Sequence, residues 1–124
     1  MFGRALIDGR APTIHGDGEQ TRDFTYVTNV VDGVLRACLA PGAAGQVIHV
    51  ATGTRVSLNE LLATLQHLVG VTISPTHNEA RVGDVRHSVA DISRATDLLG
   101  YTPTVGLEEG LRRTLEWFRA AGPG

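Results

Sequence analysis

GRAPTIHGDGEQTRDFTYVTNVVDGVLRA, residues 9–37, passes from a strand through a glycine turn to a second strand and then into a helix. Thr13-Ile14-His15 has strand character, Gly16-Asp17-Gly18 is a turn signal, and Phe24-Thr25-Tyr26-Val27 resumes an extended run. Thr28 or Asn29 can cap the helix that follows. Its apolar face takes Val30, Val31, Val34, Leu35, Cys38 and Leu39, and Pro41-Gly42 stops it. Strand and helix signals in one short stretch make the chain mixed α/β.

Upstream, Phe2 to Asp8 reads as the end of a helix closed by Gly9. Downstream, Gln46 to Ala51 is dense in apolar and β-branched residues, as a central strand would be. Ser57-Leu58-Asn59-Glu60 is a capping box, and Leu58, Leu61, Leu62, Leu65, Leu68 and Val69 continue it as a helical stripe ending at Gly70. Val71-Thr72-Ile73 is a short strand candidate. Pro75 to Asp91 is polar and loop-like, with one short strand candidate at His87 to Ala90. Asp91 can cap a short helix ending at Gly100; Tyr101-Thr102-Pro103 connects it to a last helix over Leu107 to Phe118. Glu108–Arg112 and Glu109–Arg113 are i,i+4 pairs in the favourable acid-first order.

The chain has 124 residues, enough for one core, and 42% of them are hydrophobic. A single domain over 1–124 is expected. Eleven Lys+Arg against thirteen Asp+Glu leave a net charge of -2, which argues against a nucleic-acid partner. All the basic residues but histidine are arginines; there is no lysine. Cys38 is the one cysteine, so no intrachain disulfide forms, and a buried, inert thiol is expected. No metal site is indicated. No apolar run reaches transmembrane length and MFGRALIDGR lacks the plan of a signal peptide, so a cytoplasmic protein without membrane contact is expected.

Two polar segments join glycine freedom to arginine and carboxylate: Gly16 to Phe24 and Arg81 to His87. Arginines from two loops can clamp a diphosphate through forked, charge-assisted hydrogen bonds. By pattern alone, surface Arg–Asp pairs without any ligand are the better explanation of both.

Residues 9–37 resemble the segment that follows the catalytic half in NAD-dependent epimerases and dehydratases of the extended short-chain dehydrogenase/reductase family. VIHVATGTRVSLNELL, residues 47–62, is similar to their strand, glycine turn and helix; ARVGDVRHSVADISRATDLLGYTPTVGLEEGLRRTLEWF, residues 80–118, resembles their carboxy-terminal end. The resemblance implies that Arg22 and Arg81 contact a UDP- or dTDP-sugar diphosphate and that Asp84 lies near the ribose. It places Ile14 and His15 at the base pocket and His49 on a strand reaching the cleft. Relatives often carry Asn at His49 and glycine at Ala51, so contact there is less secure. The family's glycine-rich NAD turn and Tyr-x-x-x-Lys pair have no counterpart in this sequence.

From this follows the expectation of a carboxy-terminal substrate-binding part only: a truncated domain with an incomplete fold, helices and a small sheet. No catalytic residue and no NAD bound by this chain alone are expected, with NAD only in a complete enzyme. Two alternatives stand beside it: a self-associating structural module, most simply a dimer, and a standalone nucleotide-sugar-binding protein.

Overall fold

Helices arise where the local signals are densest. The computed structural model describes residues 2–122, so positions 1, 123 and 124 of the expected domain lie outside the described residues. Helix α1 (Phe2–Ile7) precedes strand β1 (Thr13–His15) and strand β2 (Thr21–Arg22). Helix α2 (Val27–Leu39) and a 3-10 turn at Pro41–Ala43 follow, then strand β3 (Val56–Ser57) and helix α3 (Leu58–Val69). Strand β4 (Thr76–Asn78), helix α4 (Ser93–Leu99) and helix α5 (Leu107–Ala120) complete the order. The capping box forms as spelled: the Ser57 hydroxyl accepts from the Glu60 amide at 3.1 Å, and the Glu60 carboxylate accepts from the Ser57 amide at 2.7 Å. Gly70 closes α3 in the left-handed region at φ 79°.

The strands depart from expectation. β1 and β2 do not pair with each other. β1 pairs in parallel with β4, Ile14 facing His77, and β2 pairs antiparallel with β3, Arg22 facing Val56. Residues 24–26, 46–51 and 71–73 form no strand, and at 87–90 there is one parallel bridge, Thr21 to His87. An extended run becomes a strand only when a neighbour takes up its amides and carbonyls. That neighbour is distant in sequence.

Two apolar clusters hold these elements. Leu6, Ile14, Leu61, Leu62, Leu65 and Leu115 pack α1, α3 and α5 around β1. Ala95, Leu99 and Tyr101 form the second, against Ala37, Ile48 and Val50. The buried Tyr101 hydroxyl donates to the Ala51 carbonyl at 2.9 Å. The expectation of an incomplete fold with helices and one small sheet is corrected: among the described residues, five α-helices and two sheets build two cores that run from α1 to α5. The physical reason is that β1 and β4, 63 residues apart along the chain at Thr13 and Thr76, close a unit that local signals do not announce.

Helix α2 faces the opposite way from its predicted stripe. Its inward line is Asn29, Gly33 and Ala37, at i, i+4 and i+8. Gly33 is required there, because a Cβ would lie 2.5 Å from Val50 Cγ1. Asn29 sits inside the helix instead of capping it. Its amide donates to the Val105 carbonyl at 2.8 Å and its carbonyl accepts from the Thr104 and Val105 amides, both at 3.1 Å. Val30, Val31, Val34, Leu35 and Leu39 are exposed, and so is Cys38, which corrects the expected buried thiol. On α5, Arg112 bonds Glu109 and Glu116, with no Glu108 pair among the described contacts. No helix of the described residues is long and apolar enough to cross a membrane.

Candidate functional site

Pairing of β2 brings the two polar segments together. The Thr21 amide donates to the Arg86 carbonyl at 2.9 Å, and the Ser88 amide donates back to Thr21 at 3.1 Å. Residues 86–88 therefore run beside β2, and Arg22 turns toward them. Its Nη1 donates to the carbonyls of Thr21 at 2.8 Å and Arg86 at 3.4 Å, and its Nη2 pairs with the Asp84 carboxylate. Both side chains keep partial exposure, 29% and 39%, so the pair lies within reach of a ligand.

The glycine turn is tied to the same face. Arg86 donates to Asp17 at 2.8 Å, and this bond, with the Glu19 amide, holds the Asp17 carboxyl below its ordinary range. Asn59, in the first turn of α3, donates to the Asp17 carbonyl at 3.1 Å and to Glu19 at 2.6 Å. Gly18, at φ 81°, lies so close to Asn59 that a Cβ would overlap its amide. Gln20 donates from its side chain to the His15 carbonyl at 2.6 Å.

His15 and Arg81 meet at the end of β1. His15 Nδ1 bonds the Glu79 carbonyl at 3.3 Å, which requires its proton there, leaving Nε2 to accept from Arg81 at 3.3 Å. His15, Gln20, Arg81 and Asp84 border a cavity of about 430 Å³ whose body is apolar, walled by Phe2, Phe24, Leu61, Leu65, Leu111 and Phe118. An apolar hollow with a few convergent polar groups at its edge is the usual make-up of a small-molecule site.

Of the six residues singled out in the sequence, Arg22, Arg81, Asp84 and His15 are gathered in this region. Ile14 is 0% exposed and belongs to the core beneath it. His49 is exposed on the irregular 46–51 segment and does not border the cavity. Asp17, Gln20 and Arg86 lie in the two polar segments singled out in the sequence but were given no role there, and Asn59 was read only as part of the capping box. Their signal was faint: each is an ordinary polar residue whose partner is known only once β2 and α3 are placed.

A family model described as GDP-mannose 4,6 dehydratase matches residues 3–114. The chain belongs to this family. It is 41% identical over 119 residues to UDP-glucose 4-epimerase of Mycolicibacterium smegmatis, covering 96% of this chain and 38% of that protein. The crystal structure of UDP-glucose 4-epimerase with UDP-glucose from Thermotoga maritima superposes with a TM-score of 0.92 at 37% identity, over 97% of this chain and 38% of that one. UDP-glucuronic acid 4-epimerase from Bacillus cereus, in complex with UDP-glucuronic acid and NAD, gives 0.92 at 29% identity over the same shares, 97% and 38%.

The chain thus spans about 38% of the length of these relatives. The expectation of a carboxy-terminal part only, a truncated domain with neither catalysis nor NAD of its own, does not hold. The family match runs through residues 3–114 of 124, and likeness to substrate-bound and NAD-bound epimerases takes in 97% of the chain. NAD and turnover are accordingly matters for the functional reading.

Proposed function

We propose that this protein works on a nucleotide-linked sugar in NAD-dependent epimerisation or the related dehydration, as one domain over residues 1–124. The observation that carries the reading is the convergence of Arg22 with the 81–88 segment beside an apolar cavity. Two guanidinium groups, Arg22 and Arg81, suit the two phosphates of a sugar nucleotide. His15 offers a flat face and a fixed tautomer at the cavity's edge, where a base can stack. Asp84, acceptor-only when ionised, suits vicinal ribose hydroxyls once it leaves Arg22. Ile14 would support the base pocket from below, while His49 does not border the cavity.

NAD comes to the reading from the NAD-bound relative, and when bound it supplies a hydride acceptor and donor for the sugar. The donors gathered in this site fit a single diphosphate; they do not form a second cradle for a dinucleotide. The steps assigned to this chain are therefore binding and orientation. The two arginines fix the diphosphate, and the apolar walls exclude water from the base.

A second reading, self-association, is supported by the outward face of α2, where Val31, Val34, Leu35 and Leu39 are 50%, 52%, 60% and 85% exposed. A cytoplasmic place of action goes with both readings.

Calorimetric titration with UDP-glucose and dTDP-glucose tests the first. Arg22→Ala and Arg81→Ala should each weaken binding by about tenfold or more, as loss of a charge-assisted pair does. Asp32→Ala, which removes an i,i+4 partner of Arg36 on α2, should leave it unchanged. Equal affinities for Arg22→Ala and Asp32→Ala would remove the diphosphate assignment.

A further inference from the structure

Asp23 follows Arg22 directly, and its carboxylate ties the stretch after β2 to turn 51–54. One oxygen accepts from the Thr52 amide at 3.0 Å, the Thr52 hydroxyl at 2.5 Å and the Thr25 hydroxyl at 3.4 Å. The other accepts from the Gly53 amide at 2.9 Å. Every partner is a donor, so only an ionised carboxylate satisfies them all. Burial pushes the Asp23 carboxyl up, but hydrogen bonds, chiefly from the Thr52 hydroxyl and the Thr52 and Gly53 amides, outweigh it and hold it below its ordinary range.

The geography gives these bonds a use. Thr52 and Gly53 form the turn leading into β3, the strand that pairs with Arg22. The stretch that carries Asp84, Arg86 and His87 flanks Arg22 on its other side. Arg22 thus sits between two segments, and the next residue along the chain ties down the first of them. An amide of the same size keeps one acceptor oxygen and turns its NH2 against either Thr52 or Gly53, donor against donor.

We propose that Asp23 is a positioning residue: by clamping turn 51–54 onto β2, it fixes the direction in which the Arg22 guanidinium meets a ligand diphosphate. The proposal rests on the sugar-nucleotide reading of the site. Asp23 itself needs no ligand contact, since its described bonds all go to the protein.

The test pairs NMR of the Arg22 Nε–H resonance with calorimetric binding of UDP-glucose, in the wild type, Asp23→Asn and Asp23→Glu. In folded Asp23→Asn the Arg22 resonance should move toward that of a free arginine side chain, and affinity should fall by about tenfold. That loss should vanish in an Arg22→Ala background, because a positioning residue has nothing left to position. Asp23→Glu, keeping the charge, should recover part of both. Should Asp23→Asn fail to fold, Thr52→Val removes one donor with the carboxylate intact and should shift the resonance the same way by less. An unmoved Arg22 resonance, or losses that add fully with those of Arg22→Ala, would overturn the proposal. If the wild type fails to bind UDP-glucose while Asp23→Asn still releases Arg22, the ligand assignment falls and the positioning role stands on the resonance.

Discussion

Arg22 and Asp84 stand 62 positions apart in sequence and pair in the fold, so a ligand diphosphate has to compete with a carboxylate for the same guanidinium. This competition has a measurable sign. Asp84→Asn should bind inorganic diphosphate more tightly, by about three- to tenfold, since the probe has no ribose to miss the carboxylate. Calorimetry with inorganic diphosphate checks it, and weaker binding by the variant would mean that Asp84 supports the anion site instead of masking it. Asn29 makes the corresponding case for stability. It is 1% exposed and bonds three backbone groups of Thr104 and Val105. Asn29→Ala leaves the amide and carbonyl of the buried Val105 without this partner and should cost about 3 kcal/mol in urea unfolding. The sequence gives both residues plainly, yet as a helix cap for Asn29 and as a loop carboxylate for Asp84, because neither partner is a neighbour along the chain.

Among elements, what was legible is what is local. The capping box of α3, its leucine stripe and the glycines that close α3 and α4 all lie within a few residues of what they govern, and they formed as read. Strands were read less well. Gln46–Ala51 has the composition of a strand and stays irregular, while Thr76–Asn78, in a stretch read as loop, pairs with β1. Composition reports what a strand tolerates, and pairing is decided elsewhere. On α5 the local ion pairs carry a pH signature. Hydrogen bonds from Arg112 and then Arg113 hold the Glu109 carboxyl at about 2, against an ordinary 4.5. The folded-state pKa is depressed, so the contribution is in place above pH 4.5 and is lost as pH falls toward about 2. Glu109→Gln should melt below the wild type at pH 6 and converge with it as the pH approaches about 2 in thermal scans followed by circular dichroism. A gap that persists unchanged at low pH would detach the ion pairs from stability.

At the scale of the molecule, the orientation of α2 matters most. Its valines and leucines read as a core face, but the inward line is Asn29, Gly33 and Ala37, and the apolar face is left outward. Sequence periodicity gives the faces of a helix and not which of them meets the rest of the fold. If copies of the chain meet through that face, Leu35→Glu and Leu39→Glu should shift sedimentation toward the monomer while leaving UDP-glucose affinity unchanged, because neither residue borders the cavity. A wild type that stays monomeric at high concentration would end that reading. The candidate site was legible to the extent of its arginines, Asp84 and His15, which the family resemblance located. The ties that hold them, from Asp17, Arg86 and Asn59, depend on the convergence of β2, α3 and the 81–88 segment. The central claim is that this convergence is where a sugar nucleotide binds. Residue-by-residue NMR shift mapping on titration with UDP-glucose tests it most directly. The account predicts saturable shifts at His15, Arg22, Arg81, Asp84 and His87, with Leu39 and Trp117 unmoved; shifts confined to α2 or α5, or none at all in folded protein, would contradict it.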